Sequence, residues 1–311
     1  TSIVFMGSPD FATPSLRALV AAGYHVAAVV TQPDRRAGRG GRIQPPPVKR
    51  AAMDLGLPVM QPTTFKEPAA QLELAAFRPE LLVVAAYGQI LPQAVLDTAP
   101  RGAINVHASL LPRWRGASPV SAAILAGDEE TGVSIMQLVR KMDAGPVLEQ
   151  SATKIADGET AGELEARLAH LGAATLIHML PALLDGKIEP SPQRDELVTY
   201  CGLIRKDDGR LRAAYSVGEA ARTVRAYNPW PGASVEYRNG RLAIWMAHAV
   251  ETDDMPAAVG SIVVHDDEPA IVFEGGLLVL DELQRSGSRR VTGHEFLNGE
   301  RRTLPPMAGL A

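Results

Sequence analysis

The run Leu81-Leu-Val-Val-Ala-Ala86 constrains the fold of this chain more than any other segment. It is too short for a core helix and too uniformly apolar for a strand with one wet face. It therefore reads as a buried parallel strand, covered above and below. The flanking sequence supplies what such a strand needs. Ser2–Met6 is a second strand, ending in the turn Gly7-Ser8-Pro9-Asp10, and His25–Thr31 is a third. Between them, Pro14–Ala22 places Leu16, Leu19 and Val20 on one helical face. A Pro/Gly/Arg-rich loop, Gln32–Pro47, precedes a helix from about Val48 to Leu55, and Ala103–His107 and Gly132–Gln137 add further strands. Strands alternating with helices predict a doubly wound, Rossmann-like α/β domain. In that architecture ligands gather at the carboxyl ends of the strands, so the residues after Met6, Ala86 and His107 come first for inspection.

The pattern then changes. Thr160-Ala-Gly-Glu163 has the form of a capping box, opening a helix that carries Leu164, Leu168 and Leu171. That helix is expected to kink or restart at Pro181 and to end at Asp185-Gly186. Ile188–Asp208 is Pro- and charge-rich and reads as a linker. A second capping box, Ser216-Val-Gly-Glu219, starts a helix that stops before Asn228-Pro-Trp-Pro231. Beyond it the chain reads as all-β. Val235–Ile244 is a hairpin around Asn239-Gly240, with short strands at Ser261–Val264, Ala270–Phe273 and Leu277–Leu280. Strands this short and numerous predict a small C-terminal β-barrel of the oligonucleotide-binding type. The expected division is residues 1–188, a linker at 189–208, and the β-barrel at 209–311.

Several classes are excluded. A single cysteine, Cys201, rules out a disulfide framework and a cysteine-rich zinc site. No signal peptide is expected, and no apolar run approaches the roughly 20 residues of a membrane span. A net charge of −4 disfavours indiscriminate nucleic-acid binding, so an anionic partner must meet a local basic patch. Gly7-Ser8-Pro9-Asp10 is neither a dinucleotide fingerprint nor a phosphate-binding loop, and there is no Gly-x-Ser-x-Gly elbow.

The chemistry concentrates after Ala103–His107. Side chains two apart in a strand share a side, so Asn105 and His107 can present an amide and an imidazole to one spot. Ser109-Leu-Leu-Pro-Arg-Trp-Arg-Gly116 follows, a loop costly to expose without purpose. Downstream, Met142-Asp-Ala-Gly145 sets a carboxylate in a turn after the Gly132–Gln137 strand. A carboxylate beside His107 would fix its tautomer and favour the charged ring. Amide plus imidazolium suits a developing oxyanion. The plain alternatives stay open at this point: a satisfied strand-end pair, a turn aspartate, and Trp114 as a loop anchor.

The residues Phe5-Met-Gly-Ser-Pro-Asp-Phe-Ala12 and Asn105-Val-His-Ala-Ser-Leu-Leu-Pro-Arg-Trp-Arg-Gly116 closely resemble the methionyl-tRNA formyltransferase family. The likeness continues, in order, through Thr31-Gln-Pro-Asp-Arg35, Ala37-Gly-Arg-Gly40, Ala86-Tyr-Gly-Gln-Ile-Leu-Pro92, Thr131-Gly-Val-Ser-Ile-Met136, Met142-Asp-Ala-Gly145 and Arg225-Ala-Tyr-Asn-Pro-Trp-Pro231. The resemblance implies transfer of a formyl group from 10-formyltetrahydrofolate to the α-amino group of methionyl initiator tRNA. The expected enzyme is a cytoplasmic monomer that needs no metal. It implies Asn105, His107 and Asp143 as the catalytic trio, with Asn105 and His107 holding the oxyanion while Asp143 tunes His107 and assists proton transfer. It places the folate against Ser109, Leu110, Leu111 and Pro112 and against the backbone of Tyr87, Gly88, Gln89, Ile90 and Leu91.

Composition alone makes Gln32–Pro47 a solvated surface loop. The resemblance instead implies tRNA contact through Arg35, Arg36, Arg39, Arg42 and Lys49, with Arg39 the important arginine, and further tRNA contact by the C-terminal domain. Ala108 stands where the family usually has glycine, so the backbone there is expected to avoid positive φ or to carry some strain. Gly41 stands where a basic residue is common. Rival readings are a folate-dependent formyltransferase for another amine (glycinamide ribonucleotide or an amino-sugar nucleotide), a hydrolase releasing the formyl group to water, and a non-catalytic tRNA-binding protein.

Overall fold

The computed structural model describes residues 1–37, 41–238, 240–300 and 309–310. Strands run β1 Ser2–Gly7, β2 His25–Val30, β3 Arg35–Ala37, β4 Arg42–Gln44, β5 Val59–Met60, β6 Leu81–Ala85, β7 Ala103–His107, β8 Arg115–Gly116, β9 Glu130–Gln137, β10 Val147–Lys154 and β11 Tyr200–Cys201. They continue as β12 Ala233–Tyr237, β13 Gly240–Glu251, β14 Ile262–His265, β15 Glu268–Phe273, β16 Gly276–Arg285 and β17 Val291–Thr292. The helices are α1 Thr13–Ala21, α2 Pro47–Asp54, α3 Pro68–Ala76, α4 Gln93–Leu96, α5 Pro119–Ala126, α6 Ala161–Leu184, α7 Val217–Ala226 and α8 Gly293–Glu300.

The chain divides into two compact units: Thr1–Pro119, Glu130–Lys154 and Glu165–Cys201 form one, and Val120–Glu129, Ile155–Leu164 and Gly202–Ala311 the other. Two short segments from within residues 1–188 thus group with the C-terminal unit. Hydrogen bonds explain why: Ser121 Oγ donates to Ala226 O at 2.8 Å, Arg222 Nε to Leu125 O at 3.1 Å, and Gly162 N to Asn228 O at 3.0 Å.

The first unit is built on a sheet in the order β10-β9-β7-β6-β1-β2-β5. The five strands from β7 to β5 are parallel, while at one side β9 pairs antiparallel with β7 and β10 antiparallel with β9. β1 lies in the middle, and its neighbours β2 and β6 are reached in opposite directions along the sheet. The order therefore reverses between β1 and β6, the position where doubly wound sheets open a crevice at the strand ends. Every residue of β6 is buried, as its uniform apolarity requires. β10 escapes a sequence reading because it alternates polar and half-buried positions at the sheet's edge.

α6 runs through Pro181 rather than restarting there. The proline forfeits one helical hydrogen bond, the one its N–H would donate to Ile177 O, and only three helical residues follow it. Gly186, at φ +69°, then terminates the helix, its N–H donating to Leu183 O at 3.0 Å. α6 is long and apolar enough, by length and mean composition, to cross a membrane, although Glu163, Glu165 and Arg167 interrupt it and no continuous apolar run of that length is present. Here Leu168, Ala169, Ala173, Leu176, Met179 and Leu180 are buried within the protein.

Both capping boxes form. Thr160 N donates to Glu163 Oε2 at 2.9 Å, and Ser216 N to Glu219 Oε2 at 2.8 Å. In the second unit the strands pair antiparallel in the order β12-β13-β16-β15-β14, with β17 added to β16. β13 breaks register between Ile244 and Ala247, and such bulges bend a long strand. The β12–β13 hairpin pairs as expected, although Asn239 at its turn lies outside the described residues. Val235, Tyr237, Leu242, Ile244, Leu278, Leu280 and Leu283 pack into its core with Val217 and Val224 of α7.

Candidate active site

β7 delivers two side chains to one spot. Asn105 and His107 are 8% and 7% exposed, on a strand held by β6 on one side and β9 on the other. The Asn105 carboxamide makes no hydrogen bond to another described residue. Its amide is thus left free to pair with a bound group. The His107 ring lies between two acceptors. Its Nε2 is 3.0 Å from Trp114 O, and its Nδ1 is 3.9 Å from Asp143 Oδ2.

A carbonyl oxygen only accepts, so the Trp114 contact requires the proton on Nε2. That corrects the expectation that the carboxylate sets the tautomer: the main chain of the following loop does so. At 3.9 Å the Asp143 contact is an ion-pair distance for a charged ring and too long for a direct hydrogen bond. Nδ1 is therefore left without a direct hydrogen bond; it accepts in the neutral ring and donates only in the charged one. The hydrogen bond of the Asp143 carboxylate runs elsewhere, from Gly116 N to Oδ2 at 2.9 Å.

Backbone geometry in this region is unusual for its residue types. Ala86, Trp114 and Asp143 have φ of 46°, 60° and 48°, a region non-glycine residues seldom occupy. Each lies in a segment leaving a strand at the site. Ala108 is absent from that region, in line with its being alanine.

The loop after His107 hangs on a buried serine. Ser134 Oγ donates to Ser109 O at 2.6 Å and accepts from Leu111 N at 3.0 Å and Gln150 Nε2 at 2.8 Å. Gln150 also donates to Leu111 O at 2.9 Å. This uses the hydroxyl's donor and both acceptor sites. Ser134→Ala should lower stability by about 1–3 kcal/mol, because it strands the Leu111 N–H in a buried place. An unchanged urea midpoint would show that the loop is held by other means.

Among the residues expected against a ligand, Ser109 is buried and its hydroxyl is committed to Arg113 O at 2.6 Å. Leu111 is buried, and Leu110 and Pro112 are half-buried. Tyr87 turns inward: its ring packs 6.2 Å from Phe65, and burial pushes its phenol well above the ordinary range. Its carbonyl accepts from Ser8 Oγ and from Gln32 Nε2, both at 3.2 Å. Gln89 points to the carbonyls of Pro62 and Thr63. Gly88 takes φ +81°, Leu91 is half-buried, and Ile90 stands 92% exposed.

The Gln32–Pro47 stretch, expected from its sequence to be a loop, contains a two-stranded ribbon. β3 and β4 pair Arg35 with Gln44 and Arg36 with Ile43. Strands of three residues are too short to show a period of two, and the proline and glycine content hides them. Arg35, Gln44 and Arg42 share one face of the ribbon, with Arg36 and Ile43 on the other. Arg39 lies outside the described residues. Lys49 is committed at the ribbon's base, its Nζ 2.8 Å from Asp34 Oδ2. The Gln61 amide also binds Asp34 at 2.7 Å, and with Lys49 it holds that carboxyl below its usual range.

Sequence reasoning missed the supports of the site: Ser134 and Gln150 beneath one loop, and Arg115, Gln193, Thr199 and Cys201 beside it. β11 pairs in parallel with β8, Trp114 N donates to Thr199 Oγ1 at 2.8 Å, and Arg115 is 1% exposed. Within the stretch read as a linker, the chain is thus tied to the loop that carries Trp114. These partners lie tens of residues apart, and no local pattern signals them. A separate cavity of about 480 Å³ lies in the C-terminal unit, lined by Lys206, Arg210, Glu236, Arg238 and Arg241 among others. Arg210 pairs with Glu236 at 2.9 Å and Arg241 donates to Gly232 O at 3.1 Å. The cavity lining includes Lys206 and Ser234 but no imidazole, unlike the end of β7.

Residues 1–180 match the formyl transferase family, and residues 203–301 match the formyl transferase C-terminal domain. The chain is 46% identical over 297 residues to the methionyl-tRNA formyltransferase of Methylococcus capsulatus, covering 95% of this chain and 96% of that protein. It is 42% identical over 301 residues to that of Geobacillus thermodenitrificans, covering 96% and 94%. In fold it is similar to WlaRD, a sugar 3N-formyl transferase whose crystal structure was determined in the presence of dTDP and 5-N-formyl-THF. That likeness has a TM-score of 0.68 at 14% identity and spans 93% of this chain and 98% of the other.

Proposed function

The chain belongs to the formyl transferase family, and from that premise we propose that it transfers a formyl group from 10-formyltetrahydrofolate to the α-amino group of methionyl initiator tRNA. The product, N-formylmethionyl-tRNA, serves translation initiation, which places the enzyme in the cytoplasm, where it acts as a monomer. The acceptor rests on identity above 40% along nearly the whole chain to methionyl-tRNA formyltransferases. The chemistry rests on one observation: an unpaired carboxamide and an imidazole share a strand end, with a carboxylate 3.9 Å from the ring.

The residues present fit a carbonyl-bearing donor. Asn105 offers a nearly buried N–H pair with no acceptor among the described residues. Ile90, almost wholly exposed on the segment after β6, offers an apolar surface for a pterin ring, and the backbone of Tyr87–Leu91 and the Ser109–Pro112 loop are the segments proposed to hold the donor. When bound, 10-formyltetrahydrofolate supplies the electrophilic formyl carbon. Asn105 donates to the formyl oxygen as the methionyl amine attacks and negative charge grows there. His107, its Nε2–H held by Trp114 O, donates from Nδ1 when the ring is charged. Preorganised donors of this kind do not have to reorient during the reaction. Asp143 faces the same Nδ1 and is placed to take the proton released by the amine and pass it, directly or through water, to the folate N10, whose bond to the formyl carbon breaks so that tetrahydrofolate leaves as the oxyanion collapses to the new amide.

Arg35, Arg36 and Arg42 on the exposed ribbon, with Arg39, make the proposed tRNA contact. Arginine suits phosphate and unpaired bases. Replacing Arg35, Arg36 and Arg42 together by alanine should raise KM for charged tRNA by about tenfold or more and flatten its salt dependence, because each lost phosphate contact removes close to one unit of slope. Affinity for the formyl donor should not change, and the same split is expected of Arg39→Ala. Parallel loss of both affinities would make the ribbon a structural element.

The deciding assay supplies 10-formyltetrahydrofolate with charged initiator tRNA, with an amino-sugar nucleotide, or with water alone. Formyl-methionyl-tRNA is the expected product. Formylation confined to the sugar amine, or release of formate in place of transfer, overturns the assignment.

A further inference from the structure

We infer that Gln193 is a positioning residue for formyl transfer, the side chain that holds Asp143 in the backbone conformation from which its carboxylate faces His107. The inference rests on the reading of Asp143 as the partner of His107. Asp143 sits at φ 48°, where an L-residue crowds its own carbonyl. A residue stays there only if its surroundings over-determine it.

Those surroundings form a closed circuit. Gln193 Nε2 donates to Asp143 O at 2.8 Å and to Gly145 O at 2.7 Å, which uses both amide hydrogens on the turn that carries the carboxylate. Its Oε1 accepts from Arg115 Nε at 2.9 Å. Arg115 is almost fully buried, and the next residue, Gly116, donates its N–H to Asp143 Oδ2. One amide thus joins the main chain of the Asp143 turn to the loop that carries both Trp114 and Gly116. Gln193 is itself fixed from both sides. Two residues earlier, Ser191 exchanges paired 2.8 Å hydrogen bonds with Val147, and downstream β11 pairs with β8.

The circuit selects glutamine. Two carbonyl acceptors and one guanidinium donor require a planar group with two hydrogens on one side and a lone pair on the other. Glutamate keeps the shape and can serve Arg115, but it has no hydrogens for the two carbonyls. Methionine keeps the approximate length and serves neither. Neither substitution touches substrate.

The test compares Gln193→Met, Gln193→Glu, Asp143→Asn and the Gln193→Met/Asp143→Asn double variant in steady-state formylation of charged initiator tRNA. Turnover is referred to the fraction of molecules that bind the formyl donor, so that misfolding cannot pass for lost positioning. Gln193→Met and Gln193→Glu should each lower kcat by about 10–100-fold, the range for a group that orients a reacting one. KM for both substrates should stay within about twofold. Once Asp143 has lost its charge, Gln193→Met should cost less than about threefold more, because it acts through a group already disabled. Losses that multiply in full would make Gln193 a general support of the fold and overturn the inference. So would a normal kcat in Gln193→Met beside an impaired Asp143→Asn, and in that case the role of Asp143 survives. Normal turnover in Asp143→Asn removes the role of Asp143 and the inference with it.

Discussion

Alanine at His107 should lower kcat by about 100-fold or more while binding of the formyl donor survives. The ring touches the Trp114 carbonyl and faces Asp143. The segments proposed to hold the folate, Tyr87–Leu91 and Ser109–Pro112, are fixed by other bonds: Ser8 and Gln32 to the Tyr87 carbonyl, Ser134 and Gln150 to the 109–112 loop. Removing the imidazole therefore leaves the donor's seat in place and takes away a group used when charge develops. A loss confined to the transition state lowers kcat and kcat/KM together and leaves KM nearly unchanged. Glutamine at 107 places its amide N–H near the Nε2 position and could still donate to Trp114 O, yet it offers no charged N–H toward the formyl oxygen. It should restore stability more than turnover. Asn105→Ala should show the same split between kcat and KM, and the Asn105/His107 double variant should lose less than the product of the two single losses, because both donors serve one oxygen. Normal turnover in His107→Ala would remove the imidazole from the chemistry.

The parts of this site that a sequence reader can find are those encoded within a few residues. Asn105 and His107 are legible because a strand repeats every two residues, and the apolar Ile104 and Val106 at the alternate positions are buried. The two capping boxes are legible because donor and acceptor sit three residues apart. The buried β6 is legible from composition alone. Asp143 is reached through its motif rather than any periodicity: β9 runs antiparallel to β7 with Gln137 opposite Ile104, so the segment after β9 leaves at the far end of β7 and must fold back for Asp143 to face His107.

The long-range supports are not legible. Ser134 looks like one polar residue in an apolar strand. Its function appears only when Ser109, Leu111 and Gln150 converge on it. Gln193 reads as part of a Pro- and charge-rich linker, and its three hydrogen bonds reach partners about fifty and about eighty residues away. The arginine ribbon is hidden because proline and glycine dominate its composition. The tautomer of His107 depends on a main-chain carbonyl, to which side-chain identity gives no clue.

Alanine at Gly116 should nearly abolish turnover through a backbone collision several atoms from the reacting groups. A Cβ there would lie 2.0 Å from the Cys201 carbonyl oxygen, and Gly116 holds φ +122°, a conformation L-residues rarely adopt. No rotamer relieves a clash with main chain. β11 must withdraw by about 1 Å or more to restore a normal contact, and Gly116 must swing with it. Its N–H is the donor that holds Asp143 Oδ2 at 2.9 Å. A displacement of that size at a reacting group costs about 100-fold in rate, and the strained backbone adds a stability loss of about 1–3 kcal/mol. The two effects are separable with Gly23→Ala, because Gly23 has φ +80° and nothing within 4 Å of the point a Cβ would occupy. That variant carries the conformational penalty without the collision, so it should lose stability and keep its kcat. If Gly116→Ala matches Gly23→Ala in turnover, then the contact between β8 and β11 does not govern where Asp143 stands, and the carboxylate is held by some other part of its turn.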